Sequence, residues 1–544
     1  MKLKYFRNAL LAILLVGLFA GFTDIYFEIN KNLELFSKVY REISTNYVDE
    51  IEPEQFMRAG IQGMLSSLDP YTIFVDEKKK EDIDLITNGK YGGIGISIGI
   101  RGEYVTVVEV MEGYSAQRQG LKVGDVIIEA AGVEITTNNV DEISSLVKGE
   151  PGTTVFLKIL RDESKDTLGF DIVREEVIVK NVTYSGFYPE NSNNAYIKLS
   201  NFSRSASDEV KRAIRDLRSK KEIKSMVIDL RGNPGGLLDI AVDICDKFLP
   251  KDNLIVSTKG RAPASVKEYF STQEPMLSSA KLVVLIDGGS ASASEIVAGA
   301  MQDHDRGVIL GTKSFGKGLV QTITQLSYNS SLKITTAKYY TPSGRCIQKI
   351  DYSNHNDVIA DADSILSGEF FTDNERPVYA KGGISPDTTV TFLLEGKITK
   401  ELLAHGLFFK FANQYYYKNP DQDYNSIDDK TTMEEFRAFV QDSEFEYESN
   451  AEDHLSRLIS DVSQNYADLT EELAQLKSKI SNLKKDDFDL HKDEILRQIK
   501  SEFAVRYLGS EGRIKEQLKT DLQFQTALNI IESSTVYGKL LNIN

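Results

Sequence analysis

The hydrophobic pattern changes its period several times along this chain, and each change predicts an element. Residues 9–22 form an almost unbroken apolar run. Beyond them Leu33, Phe36, Val39, Tyr40 and Ile43 recur at the three- and four-residue spacing of a helix. Residues 30–75 are therefore expected to be an amphipathic helix pair, broken at Pro70. From 177 to about 394 short apolar runs alternate with helical patterns. Asn194–Leu199, Ser225–Leu230, Leu282–Ile286, Val308–Gly311 and the β-branched stretch 319–326 predict strands; Ala206–Ser219, Leu237–Phe248 and Glu295–Gln302 predict helices. That alternation predicts an α/β layer with crossover units. Past Leu394 charge rises and the helical runs lengthen. Leu469, Leu473, Leu476, Ile480 and Leu483 make a seam of only two heptads, which predicts a helix packed on its own domain.

Composition changes this picture in three places. The chain has 544 residues, enough for three or four domains and a large core. A formal net charge of -17 with no local basic patch argues against a nucleic-acid partner. Two cysteines, Cys245 and Cys346, cannot make a disulfide framework, and both are expected as free buried thiols. The five histidines are scattered, without the Cys/His spacing of a metal site. Lys2, Lys4 and Arg7 ahead of the run Ala9–Phe22 make a secretory signal plan, and an uncleaved anchor is the alternative. Either way the bulk of the chain is expected to be exported.

Candidate chemistry concentrates between Leu282 and Gln321. Gly288 and Gly289 allow a sharp turn, after which Ser290, Ser292 and Ser294 alternate with alanines before the helix-like run from Glu295. A serine between a strand and a helix N-terminus sits where outward-pointing N–H groups can hold an oxyanion. Ser292-x-x-Glu295 also fits a capping box, which by itself carries no chemistry. Lys317 lies between Gly316 and Gly318, and desolvation there would lower its pKa into the range of a general base. A serine–lysine pair is a known alternative to Ser-His-Asp. Two other patterns fall short. Gly311-x-x-x-x-Gly316-Lys317 continues into Gly318 and a strand rather than into Ser/Thr and a helix, so it is no phosphate loop. Gly232-Asn233-Pro234-Gly235-Gly236 has Pro234 where a trypsin-like protease has its serine. His304, beside Asp303, lies about three turns along the helix that Ser292 begins, too far to reach back.

Seven segments in order, YGGIGI at 91–96, GLKVGDVII at 120–128, DLRGNPGGLL at 229–238, GGSASASEIVAGAMQD at 288–303, SFGKGLVQ at 314–321, AKYYTPSGRCIQ at 337–348 and RPVYAKGGISPD at 376–387, resemble the carboxyl-terminal processing peptidases. These are tail-specific S41-type proteases with a PDZ domain. The resemblance spans roughly residues 30–395. It implies Ser292 as nucleophile, Lys317 as base and Gln321 as the residue that orients the lysine. It places oxyanion donors on the N–H of Ala293 and of Gly235 or Gly236, and a carboxylate-binding loop at Gly93, Ile94, Gly95 and Ile96. It implies a crotonase/ClpP-like layered core at 175–395 with an inserted, mostly β PDZ domain at 89–174. A signal peptide or anchor at 1–24, a helical segment at 25–88 and a helical extension at 396–544 complete the plan. No cofactor or metal is implied. The expected partners are protein substrates with free, apolar C-terminal tails, with inner-membrane association and a homo-oligomer left open. A periplasmic location follows from export. The alternative is a catalytically silent PDZ adaptor of the cell envelope.

Overall fold

The computed structural model describes residues 26–77, 85, 87–161, 167–352, 369–380, 382–392, 395–463 and 470–543. The expected leader at 1–24 lies outside them, as does Leu469 of the seam. The described residues fall into two bodies, a smaller one from 26–77, 321–335 and 352 and a larger one from the described residues between 85 and 320, 336–351 and those from 369 onward.

In the smaller body a helix covers 26–46 and a second covers Pro53–Leu65. The chain breaks at 47–52 and not at Pro70, because Pro53 sits at the start of the second helix. There its missing N–H costs nothing, and it bars the residue before it from helical geometry. Residues 73–75, expected to be helical, are a strand paired antiparallel with 331–333. Tyr40 stacks on Phe56 with ring centroids 5.7 Å apart.

The larger body is built around a six-stranded sheet in the order Val182–Phe187, Asn194–Leu199, Ser225–Asp229, Lys281–Ile286, Val308–Gly311, Thr388–Thr389. The first pair is antiparallel and the others are parallel. Every residue from Leu282 to Ile286 is buried, as a parallel strand covered on both faces requires. Met226, Ile228, Val284, Ile286 and Ile309 pack with the helices Ala206–Lys220, Leu238–Cys245 and Ala293–Asp303. The alternate residues Tyr196, Val227, Val283, Leu285 and Leu310 pack with Phe524, Leu528 and Ile531 of the helix Leu522–Glu532 and with Tyr537 of Ser534–Leu540. The second face of the central sheet is thus covered by helices from the far C-terminal part of the sequence.

A second sheet, Ile96–Arg101, Tyr104–Val110, Val126–Ala130, Thr154–Leu160 and Thr167–Val173, encloses its own core with the helix Val140–Val147. The short strands Lys90–Gly93 and Glu175–Ile178 pair antiparallel where the chain enters and leaves it. The residues after 396 form helices with an aromatic core of Phe408, Phe411, Phe436, Phe488 and Phe503. Here Thr470–Leu483 lies along Asn450–Ser463. Leu476 of the seam is exposed, and Leu473 and Ile480 are half-buried.

Candidate active site

The turn from the strand Lys281–Ile286 into the helix Ala293–Asp303 sorts the three serines. Ser290 and Ser294 are fully buried. Ser290 Oγ donates to Leu230 O at 2.8 Å and Ser294 Oγ to Asn233 O at 2.9 Å. Both outer serines therefore tie this turn to the loop that follows the neighbouring strand. Ala291 N–H adds a bond to Asn233 O at 3.0 Å, and Gly232 N–H one to Asp287 Oδ1 at 2.9 Å. Ser292, between them, is partly exposed and adopts φ 55°, ψ -112°. A side chain held in that region costs on the order of 1–3 kcal/mol, so the surroundings must impose it. Ala293 N–H, the first of the helix, has no acceptor among the described residues.

Glu295 does more than cap. Its carboxylate is completely buried and accepts four hydrogen bonds, from Ser292 N at 2.8 Å, Ser314 Oγ at 2.5 Å, Gly316 N at 2.7 Å and Lys317 N at 2.9 Å. The Ser292 and Lys317 amides donate to the same oxygen, Oε2, so the two backbones are no further apart than two hydrogen bonds through one atom. On the carbonyl side Tyr339, buried in the strand Ser331–Tyr340, has its hydroxyl 2.6 Å from Lys317 O and 3.2 Å from Ser292 O. The serine and lysine segments are thus pinned together on both edges of their backbones. Burial pushes the Glu295 carboxyl up to about 7, against the opposing pull of its four donors. The sequence reading gave Glu295 a capping role and Tyr339 none. The signal for Glu295 was present, because GGSASASEIVAGAMQD has no polar helix face and a glutamate there has to be buried.

The glycines at 235 and 236 differ. A Cβ on Gly235 would lie 2.6 Å from Ala291 O and 2.9 Å from both Ala293 N and Ser292 Cβ, so Gly235 abuts the turn and needs to be glycine. Its N–H, however, is donated to Asn233 Oδ1 at 2.9 Å. Gly236 lies instead against the backbone of Phe202. Gln321 belongs to the smaller body, where its Nε2 donates to Thr335 Oγ1 at 3.3 Å. His304 is engaged at both ring nitrogens, with Asp373 Oδ2 at 2.7 Å and Leu254 O at 2.6 Å, which leaves it no part in a serine relay. Cys245 and Cys346 are both free and buried. Among the described residues no cluster of His, Cys, Asp and Glu is placed to hold a metal.

In the second sheet Gly93 ends a short strand, and Ile94 and Gly95 form the loop before the strand from Ile96. Their carbonyls are turned inward, Ile94 O accepting from Ala116 N at 3.1 Å and Gly95 O from Met111 N at 2.9 Å. The Ile94 and Gly95 amides have no acceptor among the described residues. The strand Ile96–Arg101 is an edge, paired on one side only.

Comparison with known proteins finds four family profiles along the chain. The profile of "Peptidase family S41" matches residues 193–358, and that of a PDZ domain matches 106–161. A "Probable PDZ-protease, C-terminal helical domain" matches 398–531, and the "Activating protease CtpB N-terminal domain" matches 23–79. A carboxy-terminal-processing protease of Bartonella bacilliformis is 39% identical over 323 residues, 59% of this chain and 73% of that one. The carboxy-terminal processing protease CtpB of Bacillus subtilis is 34% identical over 323 residues, 59% of this chain and 67% of its own length. Among solved structures, a photosystem II D1 C-terminal processing protease aligns with 66% of this chain and 92% of its own at 24% identity and a TM-score of 0.36. On the sequence match to these relatives, the chain belongs to the carboxy-terminal-processing serine proteases of peptidase family S41, hydrolases that here carry a PDZ domain and a helical C-terminal domain.

Proposed function

We propose that this chain is a serine endopeptidase that takes hold of the free C-terminal tail of a protein substrate through its PDZ domain and cleaves through a Ser292–Lys317 pair. The observation that carries the reading is the pinning of the strained Ser292 turn to the Lys317 segment by Glu295 and Tyr339. In the cleavage step neutral Lys317 takes the Ser292 hydroxyl proton as Oγ attacks the scissile carbonyl. The oxyanion is received by the Ala293 N–H and by the Gly235 N–H once that amide leaves Asn233 Oδ1. Lys317 returns its proton to the leaving amine, and water then hydrolyses the acyl-enzyme by the same route in reverse. Gln321 is assigned the orientation of the lysine. Ser292→Ala should melt close to the wild type and show no turnover. Lys317→Arg should be as inactive as Lys317→Ala, because guanidinium does not deprotonate. An active Lys317→Arg enzyme overturns the assignment.

For the tail, the Ile94 and Gly95 amides receive the carboxylate, and the edge strand Ile96–Arg101 adds the peptide as a further strand. Ile96 and Ile98 on that strand and Val140 and Ile143 on the facing helix belong to one apolar cluster, which suits an apolar last residue. Amidating the substrate's last residue should slow cleavage by about tenfold, the scale of one charge-assisted hydrogen bond. Equal cleavage of free and amidated tails overturns the recognition mode. The basic and apolar start of the sequence supports export to the periplasm. Among the described residues no helix is long and apolar enough to cross a membrane. Fractionation of cells that express the full chain should find it outside the cytoplasm, and a cytoplasmic pool alone would refute the leader.

A further inference from the structure

We propose that Asp521, together with Gln523, is a positioning residue of the protease: the helical C-terminal part fixes, through Arg231, the loop that lies against Ser292. The proposal rests on the reading of Ser292 as nucleophile given above. Leu230 to Gly236 connect the strand Ser225–Asp229 to the helix Leu238–Cys245. The end of this loop touches the reaction centre, since Gly235 abuts Ala291, Ser292 and Ala293. Its beginning is Arg231, whose side chain is 10% exposed and is gripped from the side remote in sequence.

Arg231 makes a fork with Asp229, Nε to Oδ1 at 2.9 Å and Nη2 to Oδ2 at 2.6 Å. Asp521 Oδ2 takes the same Nη2 at 2.7 Å, and Gln523 Oε1 takes Nη1 at 2.9 Å. Three residues thereby fix one guanidinium plane. The fork with Asp229 ties the arginine to the end of its own strand, where Tyr196 OH donates to Asp229 Oδ2 at 2.7 Å. Asp521 and Gln523 tie it to a separate element. Asp521 Oδ1 caps the helix Leu522–Glu532 by accepting from Phe524 N at 3.0 Å, and the buried Gln523 donates from Nε2 to Val390 O at 2.6 Å. Phe524 of that helix meets Tyr188 and Tyr196 edge-on, with centroids 5.0 and 5.1 Å away. Removing Asp521 leaves Arg231 paired with Asp229, so no buried charge is stranded. What is lost is the anchor from the C-terminal helix, one of several that set where the loop, and the Gly235 amide at its far end, stands relative to Ser292.

The test uses the full chain with Asp521→Ala, Asp521→Asn, Asp521→Glu and Phe524→Ala, and Ser292→Ala in parallel. Measured are kcat and KM on a tailed protein substrate, the rate of Ser292 labelling by a fluorophosphonate, and the melting temperature. Loss of one oxyanion donor costs about 100- to 1,000-fold, and a displaced donor less. Asp521→Ala should accordingly lower kcat and the labelling rate together by roughly 30-fold, on the same scale, with KM within about twofold. Asp521→Asn keeps a helix cap and is the variant to rely on if the alanine protein does not fold; it should show the same kcat-only loss in smaller degree. Asp521→Glu should recover part of the rate. Phe524→Ala loosens the same helix without touching Arg231, so it should melt lower than any Asp521 variant and still keep most of its kcat below its melting range. The proposal is overturned if Asp521→Ala and Asp521→Asn leave kcat and labelling unchanged, or if Phe524→Ala loses as much kcat as they do. Activity in the Ser292→Ala protein would instead sink the nucleophile assignment itself, whatever Asp521 does.

Discussion

At the scale of single residues, Ser292 is held by its neighbours rather than by its own preferences. Its φ of 55° belongs to the region that glycine tolerates and serine does not. Ser292→Gly should consequently melt above Ser292→Ala, by the equivalent of about 1 kcal/mol, with both proteins inactive. Calorimetry of the two variants checks this, and equal melting would mean that the turn is not strained. The outer serines behave differently. Ser290→Ala and Ser294→Ala each remove one of the two hydrogen bonds received by a carbonyl of the 230–233 loop, at a cost of roughly 1 kcal/mol, and should retain measurable activity. Glu295 carries a pH signature. Its four neighbours all donate to it, so the ionised form is the one they satisfy, while burial raises its pKa to about 7. A carboxyl raised in this way contributes stability that is complete below its unfolded range and is lost as pH rises through about 7. Activity runs the other way, because the carboxylate that holds Ser292 and Lys317 forms over the same window. Glu295→Gln should flatten both dependences and reduce kcat at pH 8 by at least about tenfold, since its NH2 would face an N–H donor. A variant with unchanged activity and an unchanged acid limb would remove Glu295 from the account. The S-A-S-A-S segment was legible because it lies between a buried strand and a helix start, where outward-pointing N–H groups are left without partners. The second task of Glu295 was signalled only by the lack of a polar helix face around it, and S-x-x-E at a helix start, already explained by capping, masked that signal.

Among the elements, the uninterrupted run Leu282–Ile286 predicted a buried strand, and the fold agrees. The N-terminal helix pair was legible in its apolar spacing but not in its break, because Pro53 at a first helical turn reads as helix whereas Pro70 reads as a stop. The kink in the helix Lys492–Leu518 was also hidden. Gly509 there takes φ 72°, ψ -173°, a conformation essentially confined to glycine, and one glycine within a long helical pattern is ordinarily tolerated as helix. The segment before the kink joins the aromatic core around Phe503, and Ser510 just after it donates to Glu109 of the PDZ sheet at 2.6 Å. Gly509→Ala should destabilise the chain by roughly 2–3 kcal/mol, the cost of forcing a side chain into that region or of straightening the bend. Denaturant unfolding measures it, and a change under about 0.5 kcal/mol, typical of an innocuous surface substitution, would show the kink to be dispensable.

For the molecule as a whole, what the sequence could not reveal is which distant segment covers which face. Tyr537 accepts from Leu282 N at 2.9 Å and donates to Leu282 O at 3.2 Å, and Lys281 Nζ donates to Ile531 O at 2.6 Å. Nothing local to either partner encodes such a pairing. Truncation after Leu518 should expose the apolar face formed by Val227, Val283, Leu285 and Leu310 and give an aggregating, inactive product. A soluble and active truncation would contradict this. The same covering sets a clock. Ribosomes add about 5–20 residues per second, and a domain folds only when its parts have emerged. Ser292 and Lys317 are made long before Leu522–Glu532, so the proposed catalytic pair leaves the ribosome on a sheet still open along one side. A site whose sheet is covered only by helices made much later stays incomplete until those helices have emerged and docked.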